Sequence, residues 1–118
     1  MKIGHDVVNI ERIKEQISKH EERFLSRVFT KNEISKAPKL KQEYFYAKRF
    51  AVKEAVMKAL GPKGISWQDI ETLNHQDGKP YVNLFGNALS KLEKDEEIAI
   101  SLSDDFPIAS AFIVIYKE

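Results

Sequence analysis

The chain has 118 residues, 31% of them charged, and its 19 basic and 18 acidic side chains leave a formal net charge of +1. That length supports one domain, residues 1–118, with a buried core, and the near-neutral balance excludes a global field for nucleic acid or an acidic membrane. The sequence has no cysteine, hence no disulfide or thiolate metal site, and no run approaches the apolar length of a membrane span, so it reads as a soluble, cytoplasmic protein.

Lys2 to Val8 is short, β-branched and interrupted by Gly4, and reads as a buried strand. Asp6 falls between apolar residues there, either as a cap for the next element or as a ligand. Asn9 is placed to cap a helix in which Ile10, Ile13 and Ile17 line one face. Arg12, Lys14 and Lys19 lie off that stripe, and Arg23 and Arg27 come after them. Such a basic run is either a solvated helix surface or a docking face for an acidic protein.

Thr30 and Glu33 have the spacing of a capping box, which starts a short helix that Pro38 ends. The stretch from Tyr44 to Gly61 then reads as the long central helix. It is rich in alanine and uninterrupted, and Gly61-Pro62 stops it. Phe45, Val52, Val56 and Ala59 gather on one side of it, and Phe50, Met57, Ala47 and Ala51 on the other. Glu54 points into that second apolar face, with Lys58 one turn on. Such a pair is either a surface i,i+4 ion pair or a functional carboxylate beside an anion-binding lysine, for a carboxylate among apolar groups needs a partner.

Beyond Gly64 the period changes. Trp67 to Leu73 alternates loosely, Gln76 to Pro80 is a turn around Asp77-Gly78, and Tyr81 to Leu84 returns as a strand. Asn87 to Glu93 should form a short amphipathic helix. Ile98 to Ser103 and Ile108 to Tyr116 close the chain as a hairpin around Asp104 to Pro107. The last strand is apolar at almost every position, so both its faces should be covered, one of them by another subunit. Helices first and strands later make this an α+β domain: an N-terminal strand and helices, with the long central helix packed on a mostly antiparallel sheet.

Five segments, in order, resemble one family. Phe50-Ala51-Val52-Lys53-Glu54-Ala55-Val56-Met57-Lys58 is similar to the aromatic-x-x-Lys-Glu-Ala-x-x-Lys signature of the 4′-phosphopantetheinyl transferases. Ile3 to Ile13 looks like its opening Gly-x-Asp motif, and Arg27 to Glu33 like its Arg-x-Leu/Phe-Thr-x-x-Glu segment. Asp77-Gly78-Lys79-Pro80 matches its Gly-Lys-Pro turn, and Ser101 to Asp105 its last motif. The resemblance covers nearly the whole chain, in the short form of the holo-acyl-carrier-protein synthases.

It implies transfer of phosphopantetheine from coenzyme A to a serine of apo acyl carrier protein, in fatty acid biosynthesis, by a Mg²⁺-dependent homotrimer with sites at subunit interfaces. Mg²⁺ prefers hard oxygens and is bound by one or two carboxylates plus substrate phosphates and waters. By the resemblance, Asp6 and Glu54 are the metal ligands, and Glu54 and Lys58 are catalytic. Glu54 would help deprotonate the serine, directly or through a metal-bound water, and Lys58 would contact the phosphates. Gly61, Ser103, Asp104 and Arg49 fall at coenzyme A positions, and Arg12, Arg23 and Arg27 at positions that meet the acidic carrier. Lys53 is placed only as a coenzyme A or structural contact.

The family usually has His where this chain has Asp104. The alternative is therefore a catalytically weakened relative that binds coenzyme A or a carrier without efficient transfer. Asp104 is expected to turn away and cap the Asp105-Phe106-Pro107 turn rather than join the cation shell.

Overall fold

The structure is a computed structural model that describes residues 1–118. It opens on strand β1 (Lys2–Asn9) and helix α1 (Ile10–Val28), then the short helix α2 (Lys31–Lys36) and the long α3 (Gln42–Leu60). A 3₁₀ turn (Trp67–Asp69) leads into the hairpin of β2 (Ile70–Asn74) and β3 (Pro80–Leu84). Then come α4 (Gly86–Ser90) and the hairpin of β4 (Glu96–Asp105) and β5 (Ile108–Lys117).

All strand pairs are antiparallel, but they form two sheets rather than one. The larger has the order β1-β5-β4, and β2-β3 stands apart. The register sets Gly4 opposite Ile113, and Ile100 opposite that same residue from the other side. β1 is therefore an edge strand buried on one face, not a strand buried on both. Gly4 and Val8 are enclosed, whereas Ile3 and Val7 remain 56% and 58% exposed.

The local signals explain the elements. Asn9 caps α1, its side-chain oxygen accepting from the Glu11 amide at 2.9 Å, and Ile10, Ile13 and Ile17 are buried as their spacing requires. The helix is broken at His20, whose backbone is non-helical. The Thr30–Glu33 capping box is present in both directions. α3 starts two residues before the expected Tyr44 and ends where Gly61, at φ 89°, takes the cap that side chains avoid. The helix expected over 87–93 is shorter, Gly86–Ser90, and leaves Leu89 half exposed.

α3 is the spine of the core. Ala47, Ala51, Val52, Ala55 and Val56 are fully buried, against Ala109, Ala111, Ile113 and Ile115 on the inner face of β5. The approach to β1 is closest at Gly4, where a Cβ atom would sit 1.8 Å from the Ala55 carbonyl oxygen. Glycine is required there because nothing larger fits between strand and helix. Of the two faces of β5, α3 covers one. The other carries Phe112, 45% exposed, with Ile3 and Val7 beside it, and is uncovered within the chain.

Candidate active site

Gly4 brings β1 onto α3, and two residues later Asp6 faces the same helix. Its carboxylate takes Lys58 Nζ at 3.0 Å, and the same ammonium donates to the His5 carbonyl at 3.1 Å. Lys58 therefore crosses to the neighbouring strand and forms no ion pair with Glu54, so the i,i+4 surface pair is not present. Lys58 is 56% exposed and the Asp6 carboxylate 15%.

Glu54 is half-buried and without an ion-pair partner. Burial pushes its pKa up, the negative charge of Asp6 pushes it further, and Lys58 offsets part of this. Glu54 and Asp6 line one cavity of about 590 Å³, together with Asn9, Arg12, Phe24 and Phe50. Two carboxylates that repel each other across a shared cavity leave negative charge for a cation to neutralise. Their hard oxygens suit Mg²⁺. A divalent ion bound by two protein carboxylates would leave its other ligands to phosphate oxygens and water. The residues present thus fit a divalent ion held by Asp6 and Glu54.

Arg12 opens on this cavity from α1. Arg23 and Arg27, past the break at His20, line a second cavity of about 400 Å³ that shares Gln16, Phe24 and Phe50 with the first. All three arginines are exposed. The break matters for where they point: Arg23 Nη2 lies 3.0 Å from His20 Nδ1.

The expected coenzyme A residues are not gathered at one place. Arg49 lines a third cavity of about 490 Å³ with Lys48, Asn74, Gly78 and Ser101. It is nearly buried, stacks over the Phe45 ring at 3.6 Å, and donates to Asn74 Oδ1 at 2.7 Å. Burial lowers its pKa to about 10, and its Nε has no partner. Ser103 lies on the outer face of the sheet, opposite Ser110, away from Asp6 and Glu54. Gly61 sits at the end of α3, its carbonyl accepting from Lys91 Nζ at 2.7 Å.

Asp104 corrects an expectation. It does not cap the turn: it belongs to β4, and its carboxylate pairs with Lys48 Nζ at 3.0 Å, both side chains about a third exposed (29% and 32%). The strand continues through Asp105, so the reversal is left to Phe106 and Pro107. A carboxylate two strand residues before that reversal reaches the helix beneath it more readily than the turn.

Sequence reasoning missed two participants and left a third open. Lys48 holds Asp104. Lys53, next to Glu54, is fully buried and paired to Glu33 Oε1 at 2.9 Å, so it is a structural contact and not a coenzyme A ligand. Burial lowers its pKa, and Glu33 opposes that. Glu33 was legible only as a helix cap. The other missed residue is Trp67, stacked on Phe50 with ring centroids 5.1 Å apart at the wall of the second cavity. Adjacent basic residues at Lys48-Arg49, flanked by the apolar Ala47 and Phe50, were the available signal for the first.

The chain is similar to known proteins over its length. A profile of the 4′-phosphopantetheinyl transferase superfamily matches residues 2–111. A holo-acyl-carrier-protein synthase of Paramagnetospirillum magneticum is 40% identical over 125 residues, covering 98% of this chain and 95% of that protein. The crystal structure of a holo-acyl-carrier-protein synthase from Neisseria meningitidis superposes with a TM-score of 0.83 at 34% identity, over 98% of both chains. One from Helicobacter pylori, solved in complex with coenzyme A, superposes with a TM-score of 0.84 at 28% identity, over 97% of this chain and 99% of that one. On this match over residues 2–111 and this identity over nearly the whole chain, the chain belongs to the 4′-phosphopantetheinyl transferase superfamily.

Proposed function

We propose that this protein transfers 4′-phosphopantetheine from coenzyme A to a serine of apo acyl carrier protein, giving the holo carrier. The observation that carries this reading is the convergence of Asp6, Glu54 and Lys58 beside a cavity that Arg12 also faces. The serine oxygen attacks the phosphorus bearing pantetheine, the pyrophosphate bond breaks, and adenosine 3′,5′-bisphosphate leaves with the electron pair. The serine proton passes to a base.

Asp6 and Glu54 would hold Mg²⁺, which when bound supplies neutralisation of the diphosphate as charge moves to the leaving phosphate. Lys58 is exposed and flexible enough to turn from Asp6 to a phosphate oxygen, where its charge stabilises the transition state. Glu54 would help remove the serine proton, directly or through a bound water.

Arg12, Arg23 and Arg27 would receive the acidic carrier along α1, close to both cavities. Arg49, Ser103 and Gly61 would meet coenzyme A. Ser103 lies on the uncovered sheet face, so its participation requires a second subunit. The apolar Ile3, Val7 and Phe112 on that face support association of subunits there, and the family resemblance makes the assembly a homotrimer with sites between subunits. No helix of the protein is long and apolar enough to cross a membrane, and the reading places the reaction in the cytoplasm. The weakened-relative alternative loses ground because Lys48 compensates the charge of Asp104.

The test is mass spectrometry of an apo carrier protein after incubation with this protein, coenzyme A and Mg²⁺. The carrier should gain one phosphopantetheine. A carrier of unchanged mass, with coenzyme A intact, overturns the proposal.

A further inference from the structure

Three buried charged residues, Glu33, Lys53 and Glu71, meet at one place. Lys53 is fully enclosed and each of its three protons has an acceptor: Glu33 Oε1 at 2.9 Å, the Trp67 carbonyl at 3.0 Å, and the Ile70 carbonyl. Glu33, also fully enclosed, takes the Thr30 amide on one oxygen at 3.0 Å and the Thr72 amide on the other at 2.9 Å. Glu71 stands beside them, accepting from Thr30 Oγ1 at 2.6 Å and Asn83 Nδ2 at 3.2 Å. One ammonium thereby ties α3 to the start of α2, the 3₁₀ turn and the first strand of the small sheet, β2.

A buried ion pair is weak grounds for stability, because removing charges from water costs much of what their attraction returns. Geometry is the better account of this one. On its sheet side α3 meets β1 closely at Gly4 and Ala55, with Ala47, Ala51, Val52 and Val56 buried among Ala109, Ala111, Ile113 and Ile115. Apolar packing of this kind allows close approach but is non-directional, so it constrains rotation about the helix axis less sharply than hydrogen bonds do. A carboxylate carried roughly 5 Å from a helix axis moves about 2 Å for a 20° rotation. Metal and phosphoryl-transfer sites tolerate about 0.5 Å. Directional hydrogen bonds from Lys53, the residue before Glu54, supply what the apolar packing lacks.

We propose that Lys53 is a positioning residue: its anchorage to Glu33 and to the carbonyls of Trp67 and Ile70 sets the rotation of α3 and so holds Glu54 toward Asp6. The inference rests on the reading of Asp6 and Glu54 as the cation site of a transferase.

The decisive variant is Lys53→Met with Glu33→Gln, which removes both charges and leaves neither unpaired. Measured beside the unmodified protein are thermal melting, Mg²⁺ affinity by calorimetry in the presence of coenzyme A, and kcat and KM for transfer. Emission of Trp67, the single tryptophan, reports on the stack with Phe50 of α3. The expected result is a folded protein with Mg²⁺ bound at least tenfold more weakly, kcat reduced at least tenfold, KM for coenzyme A within threefold, and shifted Trp67 emission. A folded variant with Mg²⁺ affinity and kcat both within threefold of the unmodified protein overturns the proposal. Should the double variant not fold, Lys53→Arg, which keeps the charge but changes its reach, is read by the same criteria. Failure of the unmodified protein to transfer would overturn the function instead, and the Mg²⁺ affinities would still decide the role of Lys53.

Discussion

Lys58 Nζ lies 3.0 Å from Asp6 Oδ1, an ion pair that runs from α3 to β1 and leaves Glu54, one turn back on the same helix, without a partner. The arrangement separates the roles of two carboxylates that face one cavity. Asp6 keeps an ordinary counter-charge, and Glu54 carries the strain of burial and of its neighbour's charge. Replacing Glu54 by Gln keeps the volume and removes the charge. Turnover with Mg²⁺ should fall by at least about a hundredfold, the scale of losing a group that stabilises the transition state. Near-normal kcat in that variant would remove Glu54 from the chemistry.

The same carboxyl gives a pH dependence. Its pKa in the fold is above the ordinary value of 4.5, from burial first and then from Asp6. The folded state therefore holds this proton more tightly than the unfolded chain does, and the Glu54 contribution to stability falls as pH rises from the unfolded pKa through the folded one. Without divalent cations, Glu54→Gln should melt with the unmodified protein at about pH 4 and above it at about pH 7. Added Mg²⁺ should close that gap at the higher pH, because the cation restores the missing counter-charge. Calorimetry at the two pH values checks the sign.

Gly4→Ala is the most damaging small change available. The added methyl would sit 1.8 Å from the Ala55 carbonyl oxygen, a backbone atom in the middle of α3 that cannot move aside. Overpacking of this kind costs about 2 kcal/mol or more, and whatever relief the strand finds displaces Asp6 from Glu54. Denaturant unfolding should show the loss, and Mg²⁺ affinity of the surviving folded fraction should fall with it.

Assembly is tested at Phe112 rather than at its neighbour. Ile113 is fully buried against α3, so Ile113→Asp would unfold the chain and say nothing about subunits. Phe112 is 45% exposed on the uncovered face, so Phe112→Asp should leave the fold intact and yield monomers by light scattering, with transfer lost. A fully active monomer would rule out interface-built sites.

Asp104 holds Lys48 beside the cavity that Arg49 lines. The pair is partly exposed, so Asp104→His should change stability by less than about 1 kcal/mol. It should also free Lys48 and tighten coenzyme A, most clearly below the imidazole's usual pKa of about 6.5. Titration across pH with both proteins measures it. Weaker coenzyme A binding by the histidine variant throughout, with weaker Mg²⁺ binding, would make Asp104 a cation ligand.

Much of this protein is decided by short-range chemistry and was open to reading from the chain. Asn9 and the Thr30–Glu33 box cap the helices they precede because a capping oxygen finds amides only two or three residues away. Ile10, Ile13 and Ile17 face inward because helical period is local, and the hairpins arise from Asp77-Gly78 and from the apolar strands flanking Phe106-Pro107. The chain alone could not decide which long-range partner each charge takes. Glu33 looked complete as a cap, yet its carboxylate also receives Lys53, 20 residues on, because α2 packs against β2, whose first residue Ile70 also accepts from Lys53. Lys58 had Glu54 one turn away and chose Asp6, since Gly4 lets β1 lie directly on the helix. Asp104 had a turn to cap and reached Lys48 instead, because an extended strand carried it over α3. Pairing between charges far apart in sequence depends on a few ångströms of tertiary approach, and that distance is set by packing rather than by the residues that pair.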